Sequence, residues 1–212
     1  MTDLLTAARA FCTPFYQEPQ RAYHTLRHVE AMLGALDGRT VLTLALALAV
    51  WGHDLVYDPR RHDNETQSAR QFGDWLDIQR TGAELVAEVR HLILETQHTQ
   101  PPTDRPAALL IDADLNVFGA DAETFWAYEE DIRQEYSFVP WAQHREGRIA
   151  ALNSRAEQVS EARADLHDAR ICGAEGWSAG ASGGGHQGLA DRWRRRRRPA
   201  DVGGVQEPVQ VR

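Results

Sequence analysis

Up to Asn153, apolar residues recur at spacings of three and four, the pattern of helices that bury one face. Asp3 to Phe15 is a short amphipathic segment. From His24 to Leu36 the stripe is Leu26, Val29, Met32, Leu33 and Leu36, and Gly38 supplies a stop. Thr40 to Val56 is apolar almost all round, which predicts a central helix buried on every side. Asp63 or Asn64 can cap the next helix, which runs to about Arg80. Gly82 to His98 then points Leu85, Val86, Val89, Leu92 and Ile93 inward. A loop with Pro101, Pro102 and Pro106 leads to a short apolar piece, Ala107 to Phe118, and an amphipathic one, Asp121 to Tyr136. Pro140 opens a final helix that reaches about Leu152. Few stretches alternate with period two, so the expected class is all-α, a helical bundle over residues 1–153.

Beyond Asn153 the period is lost. Residues 154–212 are rich in Gly and Arg, and the expectation is an irregular C-terminal tail, mostly disordered beyond about Arg170. It reads either as an interaction tail or as the product of a frame shift near Ser154. A GC-rich gene read out of frame yields Arg, Gly, Ala and Pro without a hydrophobic period, and all 23 basic residues here are arginine. Charge follows the same divide, with net −10 up to Asn153 and +2 after it. An acidic body argues against a nucleic-acid partner for the folded part, although a nucleotide can be held locally by a metal and a few arginines. Arg194 to Arg198 would be the basic patch of the tail.

No stretch reaches the roughly 18 to 20 uninterrupted apolar residues of a membrane span. The first residues carry an early acid and no basic region before an apolar core, so neither a secretory leader nor a membrane partner is expected, and a cytoplasmic protein is. Cys12 and Cys172 supply no Cys-x-x-Cys knuckle, which leaves any metal to histidines and carboxylates.

Those residues are present. His53-Asp54 ends the most apolar stretch, Thr40 to Tyr57, and burying such a pair without partners costs on the order of several kcal/mol. His24 and His28 are four apart, hence on one face at a helix start, and His91 and His98 are seven apart on another. With His53, Asp54 and one of Asp112 or Asp114, the pair His24 and His28 makes a nitrogen and oxygen set suited to Mn, Fe, Co, Zn or Mg. By themselves, Asp63, Asn64 and Glu65 suggest helix capping. Arg133 and Tyr136 suggest a surface ion-pair region among Glu129, Glu130, Asp131 and Glu135.

Four motifs in order carry a resemblance: Tyr23-His24-x-x-x-His28, then Trp51-Gly52-His53-Asp54-Leu55-Val56-Tyr57-Asp58, then Asp63-Asn64-Glu65, then Asp112-Ala113-Asp114-Leu115. Together they resemble the HD-domain superfamily of metal-dependent phosphohydrolases. Within it, the chain is similar to the bacterial branch described as predicted HD phosphohydrolases, whose members also show motifs like Asp131 to Tyr136 and Gly147-Arg148. The similarity spans Tyr23 to Leu152.

The resemblance implies an HD-domain bundle with a metal site in its core, where His28, His53, Asp54 and Asp114 hold one or two divalent ions. Asp54 would bridge two metals, and metal-bound hydroxide would attack phosphorus. Cyclic-nucleotide phosphodiesterases have a similar opening motif, which makes His24 the general acid. Asn64 and Glu65 would orient metal water or a ligand histidine, and Arg133 and Tyr136 would touch phosphate. His62, His91 and His98 are candidates for the extra ligands of dinuclear relatives. The implied substrate is a small phosphorylated molecule, with a nucleotide foremost. A di-iron oxygenase and a non-catalytic metal- or ligand-binding regulatory module are the alternatives. Relatives carry at least one further helix at the C-terminal end, so apolar surface is expected to stay uncovered if that helix is missing.

Overall fold

The apolar run after Thr40 decides the architecture. In the computed structural model, which describes residues 2–153, Leu44–Gly52 is helical (α3) and every residue from Ala45 to Gly52 is buried. A helix with no polar face needs neighbours all round. They are α1 (Thr2–Tyr16), α2 (Leu26–Gly38), α5 (Ala83–Glu95) and α6 (Arg105–Asp114), with α4 (Asn64–Ile78) packed on both α3 and α5. A 3-10 turn, Leu115–Gly119, leads to α7 (Ala122–Glu135), and residues 141–153 are helical again (α8). Among the described residues there are helices and no strand, so the class is all-α. The expectations for the tail fall on residues 154–212, outside the described residues.

Local chemistry sets the helix ends. Thr43 accepts a hydrogen bond from the Leu46 N–H at 3.2 Å, so α3 starts at Leu44, later than the apolar run suggests. It stops at Gly52, where a Cβ would come 2.8 Å from Ile93 and closer still to Phe72. His53 and Asp54 therefore stand in the turn after α3. His53 is the C-cap of α3, with helical φ of −62° and ψ of −43°, and Asp54 follows it in the turn.

Three other boundaries correct the sequence reading. His24 precedes α2, whose N-cap is Thr25, so His24 and His28 are not one turn apart on a helix. Helix α5 ends at Glu95, and His98 lies beyond it with φ of 54°, so His91 and His98 do not share a helix face. Neither Asp63 nor Asn64 caps α4 with its side chain: Asp63 binds Arg61 and Gln67, while Asn64 exchanges two hydrogen bonds with the Asp58 backbone.

Buried apolar residues form two clusters. The larger surrounds α3; the smaller joins Ile111, Leu115, Phe118, Phe125, Tyr128, Ile132 and Leu152. Helix α6 feeds both, giving Leu109, Leu110 and Ala113 to the first and Ile111 to the second. Asp112 and Asp114 fall at this seam.

Substituting Gly52→Ala tests the close approach on α3. Overpacking a filled core costs about 1–3 kcal/mol, against a helix-propensity gain of at most about 1 kcal/mol. A net loss of stability, read by urea unfolding, is expected; an unchanged or raised midpoint would refute the packing argument.

Candidate metal centre

Four donor atoms meet where the two clusters join. His53 Nε2 stands 3.2 Å from His28 Nε2, His28 Nε2 stands 3.0 Å from Asp114 Oδ1, and His53 Nε2 stands 2.9 Å from Asp54 Oδ2. The crossed distances are longer, 4.0 Å from His28 to Asp54 and 3.9 Å from His53 to Asp114. The order is thus carboxylate, imidazole, imidazole, carboxylate. His53 Nδ1 lies 2.9 Å from the Val50 carbonyl and donates to it, which leaves the Nε2 lone pair directed at the other imidazole. Two ring nitrogens facing each other at that distance suit a shared cation: ligands about 2.0–2.1 Å from one ion stand about 3.3 Å apart at a tetrahedral angle. His28, His53 and Asp114 form a group able to hold a metal ion, and Asp54 extends it. The mixed nitrogen and oxygen donors fit a divalent ion without selecting one.

Charge is balanced within the cluster. Burial alone would depress the His53 imidazolium, yet Asp54 and the nearby Asp114 raise its pKa to about 9. Burial also opposes ionised Asp54, and is outweighed by His53, His24 and His28, which hold it below the usual carboxylate range. Asp114 is likewise held well below that range against burial, by hydrogen bonds from His28 and His98.

The surrounding residues fix these donors. His98 Nε2 donates to Asp114 Oδ2 at 2.8 Å, so it orients a ligand rather than joining the donors. The buried Arg21 guanidinium donates to the carbonyls of Asp54 (2.7 Å) and Leu55 (2.9 Å), and at 3.3 Å to that of His24. One side chain therefore clamps both the His-Asp turn and the approach to α2. Glu135 Oε1 accepts from the N–H groups of Ala22, Tyr23 and His24. Its Oε2 accepts from His24 Nδ1 at 2.7 Å and the Tyr57 hydroxyl at 2.6 Å. The His24 ring stacks on Tyr57 with centroids 4.1 Å apart, and its centroid is 6.0 Å from that of His28. With Nδ1 engaged, Nε2 is the atom His24 can offer a ligand.

All of this opens on a cavity of about 680 Å³, lined by His24, His53, Asp54, His98 and Asp114 together with Glu65, Tyr136 and the exposed His62. Glu65 is pushed above its ordinary pKa by burial, with the charge of Asp54 adding to the effect. The structure separates Asp112 from Asp114: Asp112 is paired with Arg39 and Asp114 belongs to the donors. His91 lies outside the cavity lining, on α5, and is paired with Asp104 at 2.9 Å. Arg133 does not face the cavity either; it donates to the Tyr136 and Val139 carbonyls and fastens the turn between α7 and α8. Asn64 holds its own loop.

Sequence reasoning missed Arg21, Tyr57 and Glu135 as parts of the site. For Glu135 a signal existed. It lies seven after Tyr128 and three after Ile132, on the buried stripe of α7, as does Glu129. Compared with models of known protein families, with curated proteins and with solved structures, the chain gives no match.

Two expectations follow from this geometry. Titrating the chain with Zn²⁺ or Mn²⁺ raises its unfolding midpoint, by about 2.7 kcal/mol when free metal is 100 times the dissociation constant, and His28→Ala and Asp114→Asn lose the effect. Equal stabilisation of both variants would place the ion elsewhere. Glu135 has a folded pKa lowered to about 2, where hydrogen bonds from His24 and Tyr57 outweigh burial. Its ordinary value is about 4.3, so its contribution is complete above about pH 5 and fades as pH falls toward 2. Unfolding free energy of Glu135→Gln, measured across that window, depends less on pH than that of the parent; parallel curves would contradict the assignment.

Proposed function

We propose that the chain is a metal-dependent phosphohydrolase of the HD type, cleaving a phosphoester of a small molecule. The observation that supports this most is the sharing of one cavity by a four-donor cluster and a histidine anchored through Nδ1 by a buried carboxylate. A divalent ion, when bound, lowers the pKa of water to near neutrality and screens phosphate charge. His28, His53, Asp54 and Asp114 are the residues that would hold it.

The remaining work belongs to side chains. As water adds to phosphorus, the bond to the leaving oxygen breaks and that oxygen needs a proton. His24 Nε2 supplies it, while Glu135 accepts Nδ1–H and keeps the ring from rotating. Tyr57 binds the same carboxylate oxygen and lies flat against the imidazole, which fixes the second coordinate of the ring. Arg21 holds the backbone that carries Asp54 in register with the backbone that carries His24, so donor and acid keep a constant separation. Glu65, facing the cavity, is placed to orient water. An oxygenase has less support, since His91 is engaged with Asp104 and His98 with Asp114.

Hydrolysis of a phosphoester panel with Mn, Mg, Co, Fe or Zn added is expected, and it disappears in His53→Ala and Asp54→Ala. Activity retained in both would sink the site assignment. His24→Ala lowers turnover of alkyl esters by about 10²–10⁴ and that of an ester with a nitrophenol leaving group far less, because nitrophenolate needs no proton. Equal losses on both would remove His24 from the acid role.

A further inference from the structure

A second opening reaches the donor cluster from another side. A groove of about 390 Å³, within the roughly 300–1,000 Å³ that encloses a small molecule, runs between α2 and α7 beside the 3-10 turn. Its apolar lining includes Met32, Ala113, Val117 and Ala127, and it borders His28, which the larger cavity does not. Asp114 lines both. The His28 side chain is only 3% exposed. Its Nε2 faces His53 and Asp114, and among the described residues its Nδ1 has no partner. The other two histidines of the site differ: Nδ1 of His53 donates to the Val50 carbonyl, and that of His24 to Glu135. A histidine that gives Nε2 to a metal carries its proton on Nδ1, and that proton ordinarily has an acceptor. For His28 the place left for the acceptor is the groove.

Charge in the groove points to the kind of acceptor. Its other charged groups are Arg27, Asp114 and Asp131. Asp114 is engaged by His28 and His98, and Asp131 by Arg27. Arg27 is held loosely: its Nη2 stands 3.4 Å from both Asp131 and the Ala22 carbonyl, and among the described residues its Nε and Nη1 have no partner. The carboxylates are thus committed while N–H donors of Arg27 and His28 are not. An occupant therefore brings an acceptor; a carboxylate suits the guanidinium fork, and the apolar lining suits a hydrocarbon body. We propose that the groove binds a small organic acid, its carboxylate accepting from His28 Nδ1–H and Arg27 and its apolar body against Met32 and Val117, and that this ligand tightens metal binding through His28. The coupling is reciprocal, so the factor by which the acid raises metal affinity is the factor by which the metal raises affinity for the acid. The inference rests on the donor cluster holding a metal and not on the reaction proposed above.

Calorimetric titration of the full chain with hexanoate, hexanamide and hexylamine, with and without saturating manganese, tests this. Hexanoate binds about tenfold more tightly than the amide, and hexylamine does not bind. Arg27→Ala weakens hexanoate about tenfold, and Ala127→Trp, which fills the groove from an exposed position, removes its binding. Neither variant changes manganese affinity when hexanoate is absent. Saturating hexanoate lowers the manganese dissociation constant about tenfold, the lower end of what an outer partner of a ligand histidine contributes, and manganese lowers that of hexanoate by the same factor. Hexanoate bound equally well by both variants would sit on manganese in the larger cavity and overturn the inference. Acid and metal affinities that ignore each other would also overturn it, as would a groove that takes none of the three probes and leaves water as the partner of His28. The coupling observed in a chain that hydrolyses no phosphoester would support this inference and remove the phosphohydrolase reading.

Discussion

An imidazole and a carboxylate at the end of an entirely apolar helix can be buried only if each finds a partner in place. The structure meets that condition by ending α3 at Gly52 and turning the chain, so that His53 and Asp54 reach the same point from adjacent residues. His28 and Asp114 arrive from α2 and the end of α6. Two buried imidazoles stand between two carboxylates, and the arrangement costs far less than four separate burials would. The apolar cluster around α3 serves to hold this group, because any displacement of α2 or α6 would separate opposite charges in a poorly solvated interior.

A second constraint acts on backbone. The turn that carries His53 and Asp54 exposes carbonyls at a helix C-terminus, where no further helix turn can satisfy them. Arg21 satisfies two, and binds the His24 carbonyl as well. Glu135 does the converse for three N–H groups around His24. A buried cation and a buried anion, from distant parts of the sequence, therefore organise the irregular segment of residues 21–25. That segment lacks a helical ladder of its own, and its geometry depends on these two side chains.

The helices and their order were legible in the sequence because the apolar stripes are long and the period is unambiguous. The donors were legible because His and Asp at the end of an apolar run leave few other readings. Boundaries were less so: Thr40 to Val56 reads as one helix, yet the Thr43 cap delays its start to Leu44 and the helix ends at Gly52. His24 and His28 meet through a loop rather than a helix face, and spacing alone does not distinguish the two. Arg133 and Glu135 reversed roles for a shared reason. In an acidic stretch both look like surface charge, but only the stripe through Phe125, Tyr128 and Ile132 tells which side chain turns inward.

That same stripe explains why α7 matters more than its modest apolarity suggests. It carries two buried carboxylates, Glu135 toward His24 and Glu129 toward Arg148 on α8. Each neutralises a group on a different wall of the cavity, and neither carboxylate is tolerable without its partner. The position of α7 is thereby set from both sides, by the segment before α2 and by α8. Any movement of α8 that loosens Arg148 breaks its ion pair with Glu129 on the helix that also anchors His24. The α8 wall of the cavity and the residue that would protonate a leaving group are in this way parts of one electrostatic assembly, so neither can be altered in position without consequence for the other.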